Sequence, residues 1–136
     1  MDVIQYKRTR FVVKLGDQRV ALIEKTPWEE FFLGASIEPV QHTGESITLS
    51  STVTAYTHAG TDVSTTFLDA AQLTITDDED GGTNNVLAAW VRGGYASFSP
   101  YRVVYKIVTS EGRKFQIDVD VHIRGTTTTT TTTTTA

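Results

Sequence analysis

The stretch YRVVYKIVTSEGRKFQIDVDVHI, residues 101–123, decides the fold class, because apolar and polar side chains alternate on both sides of a glycine turn. A repeat of two is the side-chain period of a β-strand with one buried face. The apolar faces are Tyr101, Val103, Tyr105 and Ile107 on the first run, and Phe115, Ile117, Val119, Val121 and Ile123 on the second. The linking TSEGR places Gly112 in the turn, so residues 101–123 are predicted to form a β-hairpin.

Three segments upstream have the same β character. They are ESITLSSTVTAYT (45–57), AQLTITD (71–77) and NVLAAWVRG (85–93), and turn-type residues separate them. In the first segment we expect the alternating positions to share one face, namely Ile47, Leu49, Ser51, Val53 and Ala55. No window shows a helical pattern over three turns. The prediction is an all-β fold, a single antiparallel Ig-like β-sandwich over residues 26–124.

Both ends of the chain differ from this domain. Residues 1–25 are predicted to form an N-terminal hairpin arm. Its turn falls at 16–18, and the basic YKRTR lies near its start at 6–10. A lone hairpin is marginal in water, so it must pack on its own sandwich or on a neighbour. Residues 125–136 are Gly125, ten threonines and Ala136, which predict an extended tail.

The threonine tail suits a β-arm on an adjacent subunit. Threonine is β-branched and favours extended backbone, and ten such residues span roughly 33 Å. Main-chain hydrogen bonds to a neighbour's sheet edge tolerate a monotonous sequence. The alternatives are a flexible linker and a run of threonines standing for unassigned residues.

Composition limits the classes of function. The 136 residues suit one domain with arms, and the net charge of −4 is unlike that of a nucleic-acid binder. No cysteine is present, so there is no disulfide framework and no thiolate metal site. The start lacks the apolar core of a signal peptide, and no stretch approaches the roughly 20 apolar residues of a spanning helix. We expect no nucleic-acid partner, no membrane partner and no export.

Candidate metal ligands have plainer explanations. The run DDEDGG at 77–82 offers oxygen ligands for calcium, but its spacing does not match an EF-hand, and a solvated loop is the preferred interpretation. Asp118, Asp120 and His122 share a strand face, where pairing with Arg102 and Lys106 on the neighbouring strand is preferred to a shared ion.

The two remaining histidines suggest no catalytic site. His42 and His58 fall in predicted turns, with neither a serine nor an acid at triad spacing. No phosphate loop, dinucleotide fingerprint or histidine metal motif is present in the sequence. The chain is therefore predicted to have no catalytic residue and no cofactor, and not to be an enzyme.

Three stretches of residues 25–123 carry a resemblance: KTPWEEFFLGASIEPV (25–40), GESITLSSTVTA (44–55) and the stretch from AAWVRGG to the final hairpin (88–123). In the order of these motifs the chain resembles a family of small tailed-bacteriophage proteins, the fiber–tail adaptor or neck proteins. Within that last stretch the matching positions are Gly93, Gly94, Tyr101, Thr109, Ser110, Gly112 and Arg113.

The resemblance implies a structural virion protein, assembled in the host cytoplasm, that joins a subunit ring to fibers or to an adjacent ring. Its partners would be portal or neck, tail or fiber subunits, and it would form a symmetric homo-oligomer or ring. The alternatives are a capsid decoration (cement) protein and a carbohydrate-binding module. The latter would use the aromatic residues Trp90, Tyr95 and Tyr101 as a stacking platform.

Contact residues are expected on the arm, at the start of the domain and on the tail. They are Tyr6, Arg8, Arg10, Trp28, Phe31, Phe32, Thr126, Thr130 and Thr135. Taken singly, each bulky aromatic is expected in the core more often than outside it. A surplus aromatic exposed near the bend at Pro27 would make a subunit contact.

Overall fold

The computed structural model describes residues 10–15 and 22–124, except for the side chains of Arg10, Leu22 and Ala70–Leu73. The strands are β1 (Arg10–Lys14), β2 (Leu22–Lys25), β3 (Phe31–Ser36), β4 (Thr52–Tyr56), β5 (Leu68–Thr76), β6 (Val86–Val91), β7 (Tyr101–Val108) and β8 (Lys114–Ile123). One short helix, α1 (Ser64–Phe67), precedes β5, and 3-10 turns cover Glu38–Val40 and Ala96–Phe98. No helix within the described residues is long and apolar enough to cross a membrane.

The strands form two four-stranded sheets that pack face to face. The first sheet has the order β1-β3-β6-β5 and the second the order β2-β8-β7-β4. The last six strands follow the connectivity of an immunoglobulin-like domain, with β3, β6 and β5 opposite β8, β7 and β4. The predicted all-β sandwich is confirmed. Within residues 26–124 the strands pair antiparallel as predicted. The two sheets are mixed because strands from residues 1–25 join them, β1 pairing with β3 and β2 with β8 in parallel.

The prediction of an N-terminal hairpin is wrong. β1 lies at the edge of the first sheet and β2 at the edge of the second, so the two strands do not pair with each other. Val13 is buried in the core, and Ile23 packs against the core from the opposite sheet. Each strand buries its apolar residues by extending a different sheet. Residues 1–9 and 125–136 lie outside the described part of the chain.

The core forms between the inward faces of the two sheets. The predicted hairpin of β7 and β8 is confirmed, with the register Tyr105↔Ile117 and Gly112 in the turn at φ +79°. Its apolar faces point inward as the alternation predicts, and Phe115 packs at the margin. Tyr105 joins the sheets directly, because its hydroxyl donates to the backbone oxygen of Leu33 at 2.6 Å.

The segment before β4 differs from its predicted alternation. Leu49 is 94% exposed, and β4 begins only at Thr52. The preceding residues are held by side-chain bonds, since the hydroxyls of Thr48 and Ser51 both donate to the backbone oxygen of Val108. The backbone N–H of Ser51 also donates to the backbone oxygen of Thr48, so residues 48–51 form a turn that interrupts the period of two at Leu49.

Strand directions bring particular loops to each end of the sandwich. One end carries the loops 26–30 and 92–100, the start of β1 and the end of β8. The opposite end carries the loops 37–51 and 77–85 and the turn 109–113. The described chain therefore begins at Arg10 and finishes at Arg124 on the same end.

Candidate functional site

Three large aromatic side chains are exposed at the end of the sandwich where the described chain starts and finishes. Trp28 is 91% exposed in the loop 26–30, and Tyr95 and Phe98 are 66% and 49% exposed in the loop 92–100. We call this region, Trp28 with Tyr95 and Phe98, the aromatic end. Exposed aromatics at one end of a domain are typical of a contact surface, since such side chains dominate binding energy at interfaces.

A buried lysine connects the two loops of the aromatic end. Lys25, the last residue of β2, is 0% exposed, and its ammonium donates to the backbone oxygens of Thr26 and Gly93. The ammonium also lies 6.0 Å from the centre of the Phe67 ring. One loop begins at Thr26 and the other contains Gly93, so this side chain fixes the spacing between them.

Burial makes the charge of this lysine costly. Desolvation lowers the pKa of Lys25 from 10.5 to about 8, and the carboxylates of Glu29 and Glu30 oppose that shift. Glu29 accepts a hydrogen bond from the backbone N–H of Thr26 at 2.7 Å, and it lies 3.8 Å from the Arg124 guanidinium. The loop 26–30 is thus ordered by several polar contacts, while Trp28 points away from them into solvent.

The loop 92–100 is anchored by Tyr101 at the start of β7. The Tyr101 ring stacks on Phe67 with centroids 4.2 Å apart, and its hydroxyl accepts a hydrogen bond from the N–H of Tyr95. A tyrosine in this position, bonded to backbone a few residues upstream, is a feature of immunoglobulin-like domains. Ser99 accepts from the backbone N–H of Ile123, tying the loop to β8.

The predicted contact residues have different fates. Trp28 is the exposed surplus expected near Pro27, whereas Phe31 is 4% exposed in the core, so its assignment to an interface is wrong. Adjacent residues of a strand point to opposite faces, so Phe32 lies half-buried on the outer face of the first sheet. Arg10 begins β1 at this end of the sandwich. The remaining predicted contacts lie outside the described residues: Tyr6, Arg8, Thr126, Thr130 and Thr135.

The stacking platform expected for a carbohydrate-binding module does not form. Tyr101 is buried, and Trp90 is half-buried on the outer face of the first sheet, where its indole N–H donates to Glu30. Tyr95 is exposed, but its neighbour Phe98 meets it edge to face, at an interplanar angle of 84°. The three proposed platform residues therefore do not share one exposed surface, and that assignment is wrong.

At the opposite end, the acidic loop 77–82 is exposed to solvent as expected, except at Asp78. Asp78 is buried, and it accepts hydrogen bonds from the Ser36 hydroxyl at 2.5 Å and the Asp80 N–H at 2.8 Å. The Lys14 ammonium forms ion pairs with Glu38, Asp78 and Asp80. These pairs raise the pKa of Lys14. A lysine charge thus occupies the place that a bound cation would take among these acids.

A second acidic group at that end is also neutralised within the chain. Glu45 is buried, and Arg113 donates to both of its oxygens, with 2.9 Å between Nε and Oε2. This guanidinium holds the pKa of Glu45 well below its ordinary value. Ligand atoms of His42, Glu45 and Glu111 lie within 4.8 Å of one another, and His42 contacts Glu111 at 2.7 Å. Because Arg113 already holds Glu45, the cluster functions as an ion-pair network that ties the loop 37–51 to the turn 109–113.

Sequence reasoning missed this buried pair and Lys25, since each depends on loops distant in sequence. It correctly placed Asp118, Asp120 and His122 along the outer face of β8 and expected Arg102 as a partner. Arg102 donates to Asp120 at 3.0 Å. His58 lies in the turn after β4, where its backbone N–H donates to the backbone oxygen of Phe98.

Neither a protein-family model nor a curated protein matches this chain.

Proposed function

We propose that this chain is a structural virion protein of a tailed bacteriophage, a neck or tail adaptor that joins a ring of subunits to fibers or to an adjacent ring. The aromatic end is the surface by which it binds the neighbouring subunit. It acts by geometry, with the sandwich as a rigid body and the loops 26–30 and 92–100 as the contact.

The exposure of Trp28 carries the proposal. A tryptophan that is 91% exposed leaves a large apolar surface in water, while the loop around it is held in place by Lys25 and Glu29. Tryptophan is enriched among the residues that supply most of the energy of protein interfaces. An ordered loop presenting such a side chain is suited to inserting it into a pocket of a partner.

Two further features support the proposal. The resemblance of residues 25–123 to phage adaptor proteins is a likeness of motif order, and the β-sandwich suits it. The chain also joins the sandwich at Arg10 and Arg124, both at the aromatic end. Residues 1–9 and 125–136, which hold all but the last residue of the basic YKRTR (6–10) and the threonine run, are therefore attached where the contact is proposed.

Electron microscopy tests the location. Antibody against the sandwich, labelled with gold, would be applied to particles of the phage that carries the gene. We expect gold at the neck or tail. Gold over the whole shell would contradict the adaptor assignment and support a decoration protein, and particles without gold would contradict both.

Complementation tests the surface. A phage defective in the gene would be supplied with Trp28→Ala or with Leu49→Ala, two exposed apolar side chains at opposite ends of the sandwich. We expect the Trp28 variant to lower the yield of complete particles by about tenfold or more, as loss of a dominant contact does. The Leu49 variant should complement fully. Equal yields from the two variants would refute the role of the aromatic end.

A further inference from the structure

The outer face of the second sheet carries a charge pattern that divides it in two. Toward the end with the turn 109–113 it presents Lys106 and Lys114, both exposed. Neither lysine forms an ion pair with any residue of 10–15 or 22–124. Toward the aromatic end the same face presents Asp118, Asp120 and Glu24, with Arg102 the cation beside them.

The strand register places these charges in rows across the sheet. Lys106 pairs with Gln116, the next row holds Val104 with Asp118, and the row after that holds Arg102 with Asp120. In formal charges, the half toward the turn 109–113 carries two positive charges, and the half toward the aromatic end carries three negative charges and one positive. The two halves therefore have net charges of opposite sign and equal size.

We propose that this face is the contact between two copies of the chain, packed sheet against sheet with their strands antiparallel. A two-fold interface requires a patch that is complementary to itself. The two-fold axis lies in the plane of the contact, runs perpendicular to the strands and passes between the Lys106 row and the Val104 row. Rotation about this axis places the positive half of each copy over the negative half of the other. It sets Lys114 against the second copy's Asp120 and Gln116 against the second copy's Asp118. An axis along the strands would oppose like charges.

The size of the face sets the expected strength. Four strands about 4.8 Å apart, with residues rising about 3.3 Å each, give roughly 600 Å² per copy, at the low end of specific interfaces. On this face the side chains of Arg102, Lys106, Lys114 and Gln116 are exposed, so no other part of the described chain covers them. The dimer should therefore be a micromolar one that weakens as salt rises, because its charges are exposed.

Sedimentation velocity on the full chain tests this with two charge-reversed variants. Lys106→Glu with Lys114→Glu gives both halves of the face a net negative charge, and Asp118→Lys with Asp120→Lys gives both halves a net positive charge. The wild-type chain should dimerise at about 100 µM and low salt. Each variant alone should associate about a hundredfold more weakly or worse, and an equimolar mixture of the two should regain the dimer. The control Glu79→Lys, an exposed reversal in the loop 77–85, should leave the wild-type dimer unchanged.

A wild-type chain that stays monomeric would overturn the inference, and so would a dimer that both variants leave intact. If a variant fails to fold, cysteine mapping decides instead. The chain contains no cysteine, so a variant with Gln116→Cys and Asp118→Cys can be oxidised and mapped by mass spectrometry. A disulfide between residue 116 of one copy and 118 of the other is expected, and its absence in a folded variant would contradict the proposed axis. A monomeric result would leave the virion proposal standing, since that rests on the aromatic end.

Discussion

Replacing Lys25 with methionine should change how the stability of this protein depends on pH. The ammonium is buried against Phe67 and two backbone oxygens, and burial lowers the pKa of Lys25 from 10.5 to about 8. Below pH 8 the folded and unfolded chains both carry this proton, and the folded state bears the full cost of the buried charge. Between pH 8 and 10.5 the unfolded chain keeps the proton and the folded chain loses it, so the folded state gains stability as pH rises.

The size of the gain follows from the shift. A pKa that falls from 10.5 to about 8 corresponds to about 3 kcal/mol. The methionine variant has no proton to lose at this position. Its lost hydrogen bonds to Thr26 and Gly93 add an offset that varies little with pH. The free energy of unfolding of the wild-type chain, minus that of Lys25→Met, should therefore rise by about 3 kcal/mol between pH 7 and 10.5.

Urea denaturation of both chains at half-unit steps of pH gives this difference directly, because all other titrating groups are common to the two chains. The surface substitution Gln116→Met serves as a control and should give a difference that stays flat. A flat line for Lys25→Met, or one that falls with pH, would refute the assignment of a buried, desolvated ammonium at the aromatic end.

Three other substitutions should alter stability in ways that denaturation can measure. Tyr105→Phe removes the hydroxyl that bridges the sheets and should lower the free energy of unfolding by about 1–2 kcal/mol. An unchanged free energy of unfolding would contradict that bridge. Gly94→Ala puts a methyl group 2.8 Å from Ile123 at a residue with φ +100°. It should lower the free energy of unfolding more than Gly60→Ala, where φ is +91° but the space around the new methyl group is open. Equal losses of stability would contradict the close packing at Gly94. Glu45→Gln should destabilise the chain at neutral pH. Because Arg113 lowers the pKa of Glu45, that loss should shrink as pH falls below 4.5, and a loss independent of pH would count against the buried ion pair.

The sequence predicted the parts of the fold that depend on local periodicity. The β7–β8 hairpin has strict alternation and a glycine turn, and both strands, their inward faces and the turn at Gly112 are found in the structure. Alternation identifies a strand but does not name its partner. The parallel pairing of β1 with β3 and of β2 with β8 joins residues far apart in sequence, so a turn at 16–18 led instead to a predicted hairpin.

The candidate site was predictable only in part, for the same physical reason. The sequence indicated Trp28, Phe31 and Phe32 together as contacts near Pro27, and of these Trp28 is exposed while Phe31 is buried. The alternation of strand side chains also separates Phe31 from Phe32, because adjacent residues of a strand face opposite sides of the sheet. Lys25 carried no local signal, because its burial depends on the loop at Gly93 closing over it.

Electron cryomicroscopy of the intact particle tests the central claim, that the aromatic end binds a neighbouring subunit in a phage neck or tail. The account predicts density for the β-sandwich in a ring at the neck or tail, with Trp28 inserted between this chain and an adjacent subunit. A ring in which Trp28, Tyr95 and Phe98 all face solvent would contradict the account, and so would particles that lack the sandwich at the neck and tail.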